Sequence, residues 1–309
     1  MKIKIISVNI SEQKGTVKKA VPSIELTELG VAKDAHSGHW HRQVSLLGTE
    51  SFRKFEKLAG REIAYGEFAE NITTEGVLLY ECTPLDRFKG DKVELIVTQI
   101  GKKCHGDSCA IYREVGNCVM PKEGIFAKVV KGAEMKAGDE LTYIPKVFKV
   151  AIVTLSDRAS AGIYEDKSGP AVQNSLLTHF EKHRMKSDIH TCIIPDSESV
   201  LKDQILSFVD QKFDLIITTG GTGISSRDIT PDVVKPLIHK EIPGIMEHIR
   251  VKYGSEKPAA LLSRSIAGTI EKTLIFTLPG SVKAVNEYMS EINKNINHLI
   301  YAVNDLDLH

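Results

Sequence analysis

The chain of 309 residues is 42% hydrophobic and 26% charged, a composition that suits ordinary soluble cores and excludes a disordered polymer. Its 40 Lys and Arg balance its 40 Asp and Glu, so no net positive field holds a nucleic-acid backbone or an anionic membrane. Residues 1–10, MKIKIISVNI, lack the apolar core of a signal peptide, and no later run has the length of a membrane span. The expected location is the cytoplasm, without nucleic acid or membrane as partner.

Single cores rarely grow beyond roughly 250–300 residues, so two domains are expected. In chain order, the first half offers short strand-like runs such as Val93 to Ile100 and Ala127 to Val130, punctuated by glycines, which predicts a β-rich barrel or sandwich. The turn around Asp139 to Lys146 is the expected boundary. From there short β-branched runs alternate with amphipathic stretches, the pattern of a parallel sheet covered by helices. Strands are predicted over Lys149 to Thr154, Asp188 to Ile194, Phe213 to Thr218 and Thr273 to Leu278, each apolar enough to be buried on both faces. Helices are predicted over Pro170 to Lys182, Ser199 to Gln211, Pro231 to Lys240 and Val282 to Tyr301, with Ser197 and Thr230 as N-caps. The expected fold is an N-terminal β-rich, barrel-like domain over 1–146 and a C-terminal three-layer α/β domain with a mostly parallel sheet over 147–309.

Each of the four strands runs into a polar or glycine-rich cluster: Ser156-Asp157-Arg158, Pro195-Asp196, Thr219-Gly220-Gly221-Thr222-Gly223 and Pro279-Gly280-Ser281. Ligands of open α/β sheets bind outside the carboxyl ends of the strands, so the clusters are expected to share one crevice. Glycines in TTGGTG let backbone N–H groups approach an anion. The run has neither the lysine of a Walker A loop nor the spacing of GxGxxG. Asp157, Asp196 and Asp228 lie beside it, and carboxylates near phosphates imply a divalent metal, although Asp196 and Asp228 also suit turn and helix caps. Asp166 in YEDKSGP reads as an N-cap.

The runs TLSDRASAGIYEDKSGP, TTGGTGISSRDITPD, EIPGIMEHIR, LSRSIAGT and LPGSVKAV resemble the molybdopterin-binding enzymes of molybdenum-cofactor biosynthesis, closely molybdopterin adenylyltransferase, from 148 to about 300. The resemblance implies ATP and Mg²⁺ as cofactors, molybdopterin as substrate, and Asp196 and Asp228 as the catalytic aspartates that carry the metal. It makes Thr219 to Gly223 the pterin-phosphate loop, with Ser156, Asp157, Ser263, Arg264, Pro279, Gly280 and Ser281 lining the pocket. It also implies a trimer or hexamer. The family includes relatives that bind the pterin without turnover, so a carrier is the alternative.

The segment GKKCHGDSCAIYREVGNCVMPKEGIFAKV places Cys104, Cys109 and Cys118 together. With no export signal, the five cysteines of the chain are expected to be reduced. Cys104, beside Lys102, Lys103 and His105, has the local positive charge that lowers a thiol pKa. Zinc, with His36, His39 and His41 as outside ligands, and inert buried thiols are the other readings. Together with VAKDAHSGHWHRQVSLL and GEFAENITTEG, the segment resembles the MOSC domain. That resemblance implies a β-rich fold, bound molybdenum cofactor and a sulfur-carrying cysteine, aligned with Cys109 and with Cys104 as its rival. Glu70 and Asn71 are then candidates to order the pocket or to form a strand turn, and Arg42 to contact a phosphate. A molybdenum-insertion protein or an apo-molybdoenzyme is the implied partner. A thiol-based detoxification domain on an α/β scaffold is a further rival.

Overall fold

The computed structural model describes residues 1–102 and 119–306. The chain divides into two compact units, one spanning Met1–Lys146 and taking in Leu306, the other Val147–Asp305. Among the described residues, no helix is long and apolar enough to cross a membrane.

The first unit holds strands β1 Lys2–Ile10, β2 Lys19–Val21, β3 Ser23–Thr27, β4 Gly30–Val31, β5 Val44–Gly48, β6 Ile72–Glu75, β7 Arg87–Lys89, β8 Glu94–Ile100, β9 Ile125–Lys131, β10 Glu134–Lys136 and β11 Glu140–Ile144, with helices α1 Thr49–Ala59 and α2 Met120–Glu123. Seven strands form a closed ring in the order β1-β11-β7-β8-β9-β5-β6, because β1 pairs with both β6 and β11; β2 adds to β1, and β10-β3-β4 form a separate small sheet. All contacts in the ring are antiparallel except β5 to β6. Of the two architectures expected for this half, the barrel is the one present. Alternation along β1 sends Ile3 and Ile5 into a core shared with Leu46, Ile72, Phe88, Leu95 and Val97, as period-two patterning requires. On α1, Phe52 and Phe55 meet Phe68 edge-to-face at ring-centroid distances of 5.1 and 5.0 Å, a preferred aromatic geometry.

The second unit has β12 Val147–Leu155, α3 Asp157–Ser160, α4 Ser168–Lys182, β13 Lys186–Ile194, α5 Glu198–Asp210, β14 Leu215–Thr219, α6 Thr230–Val234, β15 Lys240–Glu241, α7 Pro243–Gly254, β16 Ala267–Ile270, β17 Thr273–Leu278 and α8 Val282–Val303. The sheet order is β13-β12-β14-β17-β16-β15. Its first four strands are parallel; β16 pairs antiparallel with β17, and β15 pairs antiparallel with β16. Ala151, Val153 and Leu155 of β12 pack with Leu201, Ile205 and Phe208 of α5. From the opposite face of the same strand, Phe148 stacks on Phe180 of α4.

Several local expectations need correction. The stretch 188–194 is not buried on both faces: β13 is an edge strand on which most residues are exposed or half-exposed, and its Asp188, His190 and Thr191 are the polar residues such an edge carries. The helix predicted to reach Lys240 stops at Val234 and tightens into a 3₁₀ turn over Lys235–Leu237, where Pro236 cannot donate to a continuing helix. Thr230 does not cap that helix. It occupies the first helical position, and its hydroxyl donates to the Gly220 carbonyl at 2.8 Å. Ser197 occupies the N-cap position of α5 without a capping hydrogen bond.

Candidate functional site

The connections leave β12 for β13 on one side and reach β14 on the other, so the chain diverges at the carboxyl ends of β12 and β14, the place where an open sheet leaves a crevice. The Gly-rich turn begins there. Gly220 and Gly221 have φ of +99° and +62°, in the left-handed region that favours glycine. A Cβ on Gly220 would stand 2.4 Å from the Leu155 carbonyl oxygen, and one on Gly221 would stand 2.6 Å from the Thr230 hydroxyl. Gly220 N–H donates to the Leu278 carbonyl at 2.9 Å, tying the turn to the end of β17. The next four N–H groups, of Gly221, Thr222, Gly223 and Ile224, donate to no acceptor among the described residues. Successive unpaired backbone amides are the groups from which anion-binding turns are built.

The turn lines a cavity of about 530 Å³, within the ~300–1,000 Å³ range of small-molecule sites. Gly220, Gly221, Thr222, Gly223, Asp228, Ser263, Pro279, Gly280 and Ser281 all border it. Asp228 holds its own loop by accepting the Ser225 N–H at 2.8 Å, and its Oδ2 would lie 2.7 Å from a Cβ on Gly223. Ser263 accepts the Tyr288 hydroxyl at 3.0 Å, while Ser281 caps α8 by accepting the Ala284 N–H.

Other expected site residues fall outside this cavity. Thr219 is buried beneath the turn, its hydroxyl 2.7 Å from that of Ser168. Arg264 braces the loop from behind: Nε donates to the Gly223 carbonyl at 2.7 Å, one terminal nitrogen to the Asp228 carbonyl, and the other pairs with Asp232 at 2.8 Å. Ser156 caps α3 by accepting the Ala159 N–H. Asp157 and Asp196 form a separate acidic corner at the ends of β12 and β13. Asp166, expected as a cap, accepts the N–H groups of Ser168 and Gly169 at the start of α4 and the hydroxyls of Thr154 and Ser168. Burial opposes its ionisation, but these donors outweigh it and hold the carboxyl below its usual value.

Sequence reasoning missed Lys257, Lys283, Glu287 and Tyr288, which also line the cavity. The available signal was Lys283 inside LPGSVKAV, in the first turn of a helix where acidic residues are preferred. Lys257, 26 residues earlier, had none.

In the first unit, Lys18 and Asp34 form an ion pair with both side chains 1% exposed. Asp34 also accepts the N–H groups of Ser11 and His36 and the amide of Asn71. Burial opposes its charge, yet hydrogen bonds from His36 and Lys18 and the Lys18 charge hold Asp34 far below the usual carboxylate range. Glu70 is fully buried; one oxygen accepts from Gly66, Asn9 and Thr73, and the other has no hydrogen-bond partner. Burial pushes its carboxyl up to about 7. Asn71 bonds to Ser45 of β5 and to Asn9 of β1, the two strands that flank β6 in the ring.

Arg42 packs its guanidinium 4.9 Å from the Trp40 ring centre and buries Nε without a partner among the described residues. His41 contacts Gln99 at 2.8 Å, and His36 lies 3.4 Å from Asp34. Among the described residues, no group of three or more His, Cys, Asp and Glu side chains is placed to hold a metal ion. Cys104, Cys109, Cys118, Lys103 and His105 lie outside the described residues. Both described cysteines, Cys82 and Cys192, are free, and burial raises each thiol pKa, that of Cys82 to about 12, which makes them poor nucleophiles.

A glycine-rich turn bordering a cavity at the divergence of a parallel sheet is the place where open α/β domains bind their ligands. Comparison with known proteins shows which family the chain is similar to. The family described as a probable molybdopterin binding domain matches residues 151–298, and the MOSC domain matches residues 33–142. The chain is 38% identical over 161 residues to Molybdenum cofactor biosynthesis protein B of Staphylococcus aureus, covering 51% of this chain and 93% of that protein. It is 36% identical over 144 residues to Molybdopterin adenylyltransferase of Helicobacter pylori, covering 46% and 80%. It is 38% identical over 161 residues to Gephyrin of Dictyostelium discoideum, of which it spans 22%. A solved tungsten cofactor synthesizing protein MoaB from Pyrococcus furiosus superposes with a TM-score of 0.46 at 33% identity, over 52% of this chain and 99% of that one. The chain belongs to the molybdopterin-binding family of molybdenum-cofactor biosynthesis proteins, and it carries an MOSC domain ahead of that unit.

Proposed function

We propose that the second unit transfers an adenylyl group from ATP to molybdopterin. A terminal phosphate oxygen of molybdopterin attacks the α-phosphorus of ATP, the bond from that phosphorus to the bridging oxygen breaks, and pyrophosphate leaves with the bond's electrons. No covalent enzyme intermediate is required, because such transfer is governed by alignment and by neutralisation of developing charge. The observation that carries the reading is the run of four N–H groups, unpaired among the described residues, from Gly221 to Ile224 along the border of a cavity that Asp228 also lines. The amides seat the pterin phosphate without charge of their own, and Arg264 fixes the loop that presents them. Mg²⁺ takes one or two carboxylates and completes its shell with phosphate oxygens and water, so it needs no preformed cluster. Asp228 inside the cavity and Asp196 in the separate corner outside it, each with one oxygen outside the hydrogen bonds described above, would each hold magnesium at its own position, where it would neutralise charge on the nucleotide phosphates.

The first unit is assigned the binding, delivery or sulfur modification of the product, with Cys109 as the sulfur carrier and Cys104 as its rival. Arg42, whose buried Nε lacks a partner among the described residues, is the group we assign to an anionic part of that cofactor.

The test is incubation of the full chain with ATP, Mg²⁺ and molybdopterin. Release of one pyrophosphate per adenylylated pterin supports the reading. Tight pterin binding without pyrophosphate makes the protein a carrier.

A further inference from the structure

We propose that Lys257 and Lys283 form a second anion seat in the cavity of the second unit, one that holds the β- and γ-phosphates of a nucleotide and then the pyrophosphate they become. The inference rests on the adenylyl-transfer reading and deepens it by placing the leaving group.

Both lysines line the same cavity as the amide turn, as do Gly280, Ser281 and Ala284. Lys257 donates to Glu287 at 2.7 Å, and that bond comes first among the causes that raise its pKa. Among the described residues Lys283 donates to no carboxylate. The group acting most strongly on it is Lys257, whose ammonium holds that of Lys283 below the ordinary lysine value; Glu287 and Glu256 counter this only through their charge. Two long, flexible cations would normally separate into water. Here both line one cavity, where the Glu287 carboxylate is hydrogen-bonded to Lys257 alone among the described residues.

The setting of Lys283 sharpens the imbalance. It lies in the first turn of the 22-residue helix α8, whose first turn contains no acidic residue. Helix N-termini carry partial positive charge and favour anions there. Two lysines, the start of a helix and the uncharged amide turn thus border one cavity. A single phosphate is already matched by the turn. The second seat, built from point charges suited to phosphate oxygens, matches the more highly charged partner of the reaction. Neutralising pyrophosphate as it departs is the electrostatic task that such a seat performs.

The seat is tested by titrating the full chain with inorganic pyrophosphate and, separately, with inorganic phosphate, comparing wild type with Lys283→Ala, Lys257→Ala and Lys283→Arg. We expect each alanine variant to weaken pyrophosphate binding about tenfold or more, as loss of a charge-assisted contact does, with Lys283→Arg retaining most of the affinity. In turnover assays the alanine variants should raise KM for ATP while leaving the affinity for molybdopterin unchanged. Pyrophosphate binding indifferent to both alanine substitutions overturns the seat even if wild type adenylylates the pterin. Loss of molybdopterin affinity without loss of pyrophosphate affinity overturns it too, by assigning the lysines to the pterin phosphate. If the variants lose pyrophosphate while wild type forms no adenylylated product, the seat stands and the adenylyl-transfer reading falls.

Discussion

The carboxylates of Asp157 and Asp196 each accept the other residue's backbone N–H, at 3.2 Å for Asp157 N–H to Asp196 and 3.0 Å for Asp196 N–H to Asp157. The exchange locks the ends of β12 and β13 together and keeps one oxygen of each carboxylate outside it. Asp196→Asn preserves an oxygen for the Asp157 amide but removes a charge. It should leave thermal unfolding nearly unchanged and raise the Mg²⁺ concentration for half-maximal pyrophosphate release by about tenfold, as expected for one lost carboxylate ligand. An unaltered Mg²⁺ requirement would remove Asp196 from the metal site.

Asp228 sits in the cavity itself, against Gly223. Asp228→Asn keeps the size of the side chain and an acceptor for Ser225, so the turn should still bind the pterin. Adenylylation should fall about 100-fold or more, the scale of losing transition-state charge stabilisation. Single-turnover rates and equilibrium pterin binding, measured on the same sample, separate the two effects.

Glycine at 220 is required by conformation and by space. Gly162, also left-handed at φ +72°, has nothing within 4 Å of the point where a Cβ would stand, whereas a Cβ on Gly220 would meet the Leu155 carbonyl. Gly162→Ala should cost about 1 kcal/mol of backbone strain, and Gly220→Ala about 3 kcal/mol with loss of pterin affinity. Calorimetry of the two variants isolates the clash as their difference.

The barrel should respond to pH through two carboxyls of opposite sign. Glu70 has a folded value of about 7, above its unfolded value near 4.5, so its contribution is fully present below about pH 4.5 and is lost as pH rises through 7. Asp34 is shifted downward, so its contribution is present above its unfolded value near 4 and is lost as pH falls further. Glu70→Gln, neutral at every pH, should therefore abolish the decline in stability between about pH 4.5 and 7, of order 3 kcal/mol at most. The chain has one tryptophan, Trp40, so its fluorescence during urea unfolding follows the first unit selectively. A Glu70→Gln profile parallel to wild type across that window would refute the assignment.

The strand ends and TTGGTG were legible because buried parallel strands leave apolar runs and glycine marks where backbone must approach closely. What remained hidden depends on contacts between distant residues. Nothing in the local sequence pairs Lys18 with Asp34, or Lys257 with Lys283, and α7 with the antiparallel β15 and β16 lacked the alternation that announced the parallel strands. Thr230 was misread for a related reason: threonine before proline signals a cap locally, but the Gly220 carbonyl ten residues earlier claims its hydroxyl. Arg264, expected as a pocket residue, belongs to the loop's bracing because three acceptors surround it.

The pairing of β1 with β11 makes the barrel's first strand wait for its last. During synthesis β2 covers Val8–Ile10 on one edge of β1 and β6 can dock on the other once residue 75 has emerged, but Lys2–Ile3–Lys4 stay open on the first edge until Glu140–Leu141–Thr142 arrive. An unpaired strand edge is a template for foreign strands. A chain interrupted before residue 140 would therefore expose both β1 and β7 as ragged margins, and ribosome-stalled fragments ending there should aggregate, while those extending past residue 146 should not.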